Sequence, residues 1–91
     1  PEKSETPEIV RFGKDGKSFR VDGDAILPDV ARITGLDLPP SEHYQTIAGY
    51  VLDRLQRVPK QGETLDVGDW KIEVFSADAT AINVLKLYRI K

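Results

Sequence analysis

The sequence holds one histidine, His43, the residue type most often used as a general base or metal ligand. A histidine base needs a nucleophile beside it, and a histidine metal ligand needs companions. His43 has neither, because the sequence holds no cysteine and no second histidine, and no serine stands in a nucleophile context. It lies in the polar connector Ser41-Glu42-His43 ahead of Tyr44 and reads as a surface residue. The lack of cysteine also excludes disulfides, thiolate nucleophiles and Cys-ligated zinc or iron–sulfur centres.

Carboxylates are the next candidates. Asp22, Asp24 and Asp29 lie close together along the chain, and Asp15 and Asp37 are further members of such a set. A hard divalent cation wants several oxygen ligands from a rigid loop, and calcium-loop spacing is missing here. Asp22-Gly23-Asp24 reads more simply as a turn with charge near a helix start. Asp66 and Asp69 have less to recommend them as metal ligands. No metal is expected. On the cationic side, Arg54, Arg57 and Lys60 make a small basic edge at the end of a helix, where the dipole favours positive charge. Tyr44, Tyr50 and Trp70 are amphipathic enough to anchor a protein interface, although Trp70 fits the core better. No glycine-rich phosphate loop follows a strand, so nothing in these residues asks for a nucleotide or flavin cofactor.

The elements that must position these groups belong to one small domain. Ninety-one residues bury roughly 60–65% of their extended surface on folding, enough for a two-layer core but not for a cleft between lobes. Hydrophobic residues make up 40% and charged residues 31%, the balance of an ordinary globular chain. The net charge of −2 arises in the first eight residues, where Glu2, Glu5 and Glu8 face Lys3. The remaining body is neutral and offers no basic field for nucleic acid. No apolar run approaches the roughly 20 residues of a membrane helix. The sequence begins without methionine, which suggests a piece cut from a longer parent.

Residues 1–8 read as a linker or disordered tail and residues 9–91 as the domain. Ile9-Val10-Arg11-Phe12 and Ser18-Phe19-Arg20-Val21 flank the turn residues Asp15-Gly16 and predict a hairpin. Pro28 opens a short helix that Gly35 stops. Thr46 caps a second helix whose apolar stripe is Ile47, Ala48, Val51, Leu52 and Leu55. Gly49 inside it is expected to admit another backbone, letting the helix approach the sheet, and Val58-Pro59 to end it. Glu63 to Val67 predicts a strand, and Trp70, Ile72 and Val74 alternate inward against Lys71 and Glu73. A bend over Ser76 to Ala81 returns the chain as a last strand from Ile82 to Ile90. The fold class is α+β, a small mainly antiparallel sheet with two helices on one face.

The residues Tyr44-x-Thr46-x-x-Gly49, then a nine-residue gap, then Pro59-x-x-Gly62-Glu63, followed by Trp70-Lys71-Ile72-Glu73-Val74, resemble the CorC/HlyC-type transporter-associated domain. The likeness runs from about Val10 to Ile90. The usual acidic stretch before the tyrosine is reduced to Ser41-Glu42-His43. The resemblance implies a flavin-binding-like α+β fold and a non-catalytic cytoplasmic module of a membrane protein linked to magnesium and cobalt efflux or named a hemolysin. It implies as partners a transmembrane region and paired cystathionine-β-synthase-type domains; strand edges and exposed aromatic residues add a homodimer as a further option, and the neutral body argues for no nucleic acid. It implies no cofactor. A small ligand-binding domain for a nucleotide, flavin or divalent cation is the alternative. Tyr44, Thr46, Gly49, Pro59 and Gly62 are then motif positions with mainly structural work: a helix cap, a close approach and a turn.

Overall fold

Alternation decides the sheet. In the computed structural model, which describes residues 8–90, the strands are β1 (Ile9–Phe12), β2 (Ser18–Asp22), β3 (Thr64–Val67), β4 (Trp70–Ala77) and β5 (Ile82–Arg89). They form one sheet in the order β1-β2-β5-β4-β3, with every neighbouring pair antiparallel. Phe19 and Val21 on β2, Trp70, Ile72 and Val74 on β4, and Ile82, Leu85 and Leu87 on β5 are buried. Their neighbours Arg20, Lys71 and Phe75 are exposed. One face is therefore core and the other is open.

Two helices cover the core face, α1 (Leu27–Thr34) and α2 (Ile47–Leu55). Leu27 and Val30 from α1, and Ile47, Ala48, Tyr50 and Val51 from α2, complete the core with Leu36 and Leu38 of the connector. The antiparallel α+β architecture expected from the sequence is thus the one observed. Of the expected tail, residues 1–7 lie outside the described residues. Glu8 already belongs to the hairpin: its N–H donates to the Asp22 carboxylate at 3.0 Å, and its carbonyl accepts from the Asp22 N–H at 2.9 Å.

Several boundaries differ from the sequence reading: β2, β3 and β5 each by one residue at an end, and three others for local reasons. Leu27 precedes Pro28 in α1, because its N–H finds the Gln45 carbonyl across the corner at 3.0 Å. The second helix stops at Leu55, before Val58-Pro59, because Gln56 turns left-handed at φ 59° and returns its N–H to the Leu52 carbonyl at 2.8 Å. β4 continues through Ser76 and Ala77 because a register shift between Val74 and Ser76 absorbs Phe75 and lets pairing with β5 resume.

Candidate functional site

The motif residues converge on the corner where the chain enters α2. Thr46 is extended, at φ −112°, and its Oγ1 accepts from the Gly49 N–H at 3.1 Å. The Ile47 and Ala48 N–H groups donate to the Ala25 and Gly23 carbonyls at 2.9 and 3.1 Å. The first three amides of the helix are thereby all satisfied within the chain. No donors are left there for a phosphate or carboxylate. Replacing Thr46 with alanine is expected to cost about 1 kcal/mol in urea unfolding, with serine restoring most of it.

The glycine of close approach is Gly23, not Gly49. A Cβ on Gly49 would meet the Tyr44 Cβ at 3.0 Å and the Thr46 Oγ1 at 3.3 Å, which are parts of the connector and not of the sheet. A Cβ on Gly23 would run into the Ile82 carbonyl oxygen of β5 and reach Ala48 of α2 at 3.0 Å. The expected helix-to-sheet role therefore passes to Gly23, where strand, helix and loop meet. Tyr44 lies over this corner, its ring 5.3 Å from Tyr50 in edge geometry and its hydroxyl donating to the Pro39 carbonyl at 2.8 Å.

The second half of the motif is a clamped turn. Pro59 is buried, and Gly62 adopts φ 94°, a left-handed conformation that suits glycine. The Gly62 N–H donates to the Val74 carbonyl at 2.7 Å, tying the turn to β4. Glu63 accepts from both terminal nitrogens of Arg57, at 2.9 and 2.7 Å, and from the Lys60 N–H at 2.7 Å. Hydrogen bonding from Arg57 comes first, and that from the Lys60 amide second, in holding its carboxyl at about 2 against the usual 4.5. Because the unfolded state binds the proton more tightly, this contribution is complete above about pH 4.5. It is lost as pH falls toward about 2. The stability gap between the native chain and Glu63→Gln, followed by urea titration, should therefore close across that window.

Arg57 is thus bound to a carboxylate and is not simply attracted to a helix end. Arg54 donates to the Tyr50 hydroxyl at 2.7 Å and lies 5.7 Å from that ring, so the expected basic edge is largely engaged internally. Asp22 holds the Glu8 amide, Asp29 holds Arg32 at 3.3 Å, Asp15 accepts from the Lys17 amide at 2.9 Å, and Asp24 is exposed. Among the described residues no three His, Asp or Glu side chains are grouped so as to hold a metal ion. His43 is exposed, and its backbone N–H donates to Ser41 Oγ at 3.0 Å.

Of the three expected interface anchors, Tyr50 and Trp70 are buried and Tyr44 is half-buried. The exposed aromatic residue is Phe75, 40% accessible, on the open face of the sheet. The alternation of β4 already signals it, since Phe75 follows the outward Lys71 and Glu73 by two-residue steps. Two of the shallow hollows on the described surface differ in chemical character. One, about 320 Å³, lies at the start of α1 between Ile26, Pro28, Pro40 and Tyr44. The other, about 250 Å³, lies on the open sheet face among Val10, Phe12, Arg20, Phe75 and Lys86. No helix among the described residues is long and apolar enough to cross a membrane.

Comparison with known proteins agrees with this geometry. The model of the CorC_HlyC family, described as a transporter associated domain, matches residues 13–91. The polyamine export protein of Escherichia coli K12 is 32% identical over 78 residues, 85% of this chain. The chain spans only 17% of that relative's length. Among solved structures, the CorC_HlyC domain of a Xylella fastidiosa Temecula1 hemolysin, in complex with Mg2+ and Mn2+, is 30% identical with a TM-score of 0.75. It covers 91% of this chain and 98% of its own. The Mg2+ and Co2+ transporter (CorC) associated region of Neisseria meningitidis MC58 is 25% identical with a TM-score of 0.79, covering 89% and 96%. The chain belongs to the CorC_HlyC family of transporter associated domains.

Proposed function

We propose that this domain is a non-catalytic accessory module of a membrane transport protein, regulating it through protein–protein contacts on the cytoplasmic side. The observation that carries this reading is the use made of the motif. Thr46 caps a helix, Tyr44 closes the connector, Pro59 and Gly62 shape a turn, and Glu63 clamps Arg57. The motif's polar groups serve the fold rather than a reactive centre. The partners in this reading are a transmembrane region and paired cystathionine-β-synthase-type domains of the same polypeptide, and a second copy in a homodimer. The names of two relatives, a polyamine exporter and a magnesium and cobalt transporter, share a cationic cargo, and we assign that class to the whole transport protein.

The test uses the intact transport protein with and without this domain, in cells loaded with Mg2+, Co2+ or a polyamine. Impaired or deregulated export on deletion is expected. Unchanged export together with unchanged assembly removes the regulatory reading. A second reading, binding of a divalent cation, is favoured by the Xylella domain's complex with Mg2+ and Mn2+. Asp22, Asp24 and Asp29 do not converge here, so such a cation would keep most of its water. Calorimetric titration with MgCl2 and MnCl2 separates the readings, since saturable heat supports the second and its absence dismisses it.

A further inference from the structure

The open face of the sheet carries a feature that the fold does not need. Arg20 of β2 and Lys86 of β5 are register partners, so two positive charges stand directly across neighbouring strands. Such a pair costs stability rather than adding it. Both side chains alternate with buried residues, Phe19 and Val21 on one strand and Leu85 and Leu87 on the other, and so project away from the helices. Val10 and Phe12 of β1 and Phe75 of β4 wall the hollow of about 250 Å³ around them. The Lys86 ammonium lies 4.1 Å from the Phe75 ring centre and 5.4 Å from that of Phe12.

Among the described residues the one ion pair these two cations make is long and exposed. Glu73 stands opposite Lys86 in register, yet its carboxylate accepts the Tyr88 hydroxyl at 3.0 Å. Arg20 reaches only Glu8, at 3.9 Å, and both of those side chains are at least half exposed. An exposed pair at that separation contributes little.

We propose that this hollow docks an acidic, amphipathic segment of a protein partner. One carboxylate sits between Arg20 and Lys86, and a neighbouring apolar side chain rests on Val10, Phe12 and Phe75. This rests on the docking reading above and gives it a surface and a partner chemistry. Charge selects the occupant first, because a carboxylate turns the like-charge pair into charge-assisted hydrogen bonds. Size selects it next. The hollow is smaller than a usual small-molecule pocket, about 300–1,000 Å³, and suits one or two side chains. A second copy laid face to face about a two-fold axis would bring the two cationic centres together, which disfavours it. The two hollows beside α1 offer no cation to an acidic segment: one has no charged group in its lining, and the other has Asp37.

The test titrates the isotope-labelled 91-residue chain with the capped peptide Gly-Glu-Phe-Glu-Ile-Glu-Gly and with its twin bearing lysine for glutamate. Amide shifts are expected at Val10, Phe12, Arg20, Phe75 and Lys86 with the acidic peptide only. In the double variant Arg20→Glu with Lys86→Glu, affinity for the acidic peptide should fall at least about tenfold, and the lysine twin should bind instead. No shifts at millimolar peptide, equal binding of both peptides, or shifts centred on Pro28 and Tyr44 overturn the proposal. Concentration-dependent shifts of the same amides in the free chain also overturn it, by placing a second copy there. In the whole transport protein the two readings separate. If domain deletion impairs export and the double variant does not, this surface falls and the docking reading stands. If deletion has no effect, the docking reading itself falls.

Discussion

Replacing Leu85 with alanine is expected to destabilise the chain by about 3 kcal/mol or more, one of the two largest effects of any single substitution considered for this fold. Leu85 has no exposed surface and stands on the central strand, register partner to Val21 on one side and Val74 on the other. The cavity cannot be filled from the helices, because Val30, Ile47 and Val51 are themselves fully buried at fixed positions. A domain of this size has only about 5–14 kcal/mol of stability in total, and here no disulfide supplements the core. The melting temperature should fall by roughly 10–20 °C, and the urea midpoint should drop with its slope unchanged. Phe75→Ala on the open face is the control and should cost less than about 1 kcal/mol. Equal losses at the two positions would contradict the assignment of core and open face.

Gly23→Ala is expected to be comparably severe, costing about 2–4 kcal/mol. The added methyl group would enter the Ile82 carbonyl, which belongs to a paired strand, and it would press on Ala48 at the start of α2. The Gly23 N–H also donates to the Asn83 carbonyl at 2.9 Å, and its own carbonyl accepts from Ala48, so the segment cannot retreat without losing hydrogen bonds. Gly49→Ala should stay within about 1 kcal/mol. Its methyl group meets mainly Tyr44 and Thr46 side-chain atoms, and alanine regains helix propensity. Paired urea titrations of the two variants decide whether the close approach is at Gly23 or Gly49.

That contrast shows where the sequence is legible. A period of two in Trp70-Lys71-Ile72-Glu73-Val74 and a capping threonine before an apolar stripe report local physics, and both appear in the fold as expected. Gly49 reads as the point of close approach because it lies inside a helix. Gly23 sits in a turn, where glycine has a routine explanation, and only the return of β5 beside it reveals its real constraint. Tyr50 reads from the sequence as an interface anchor, but its hydroxyl is satisfied by Arg54 and its ring can therefore be buried. Arg57 and Glu63 are six residues apart across a turn, a separation that no helix or strand periodicity marks. The end of α2 at Gln56 was hidden for a similar reason, since a left-handed glutamine has no compositional signature.

The surface is legible in the same partial way. Arg20 and Lys86 are 66 positions apart, and their juxtaposition depends on the β2–β5 pairing that closes the sheet. Phe75 could be placed outward by alternation alone. Its sharing of a hollow with Phe12 and Lys86 could not. By contrast, Asp22, Asp24 and Asp29 are neighbours in sequence and do not meet in space, because one ends a strand, one is exposed in the turn and one lies on a helix.

In the function proposed above, the motif maintains a fold and the fold offers a surface. The measurement that bears on this most directly is the cation export proposed above for the whole transport protein, in variants carrying Thr46→Ala, Gly23→Ala, His43→Ala or Asp24→Ala, plotted against the folded fraction of each variant domain. Export proportional to folded protein along a single line, with His43→Ala and Asp24→Ala at wild-type level, is the result predicted. A variant at His43 or Asp24 that remains fully folded yet abolishes export would contradict it.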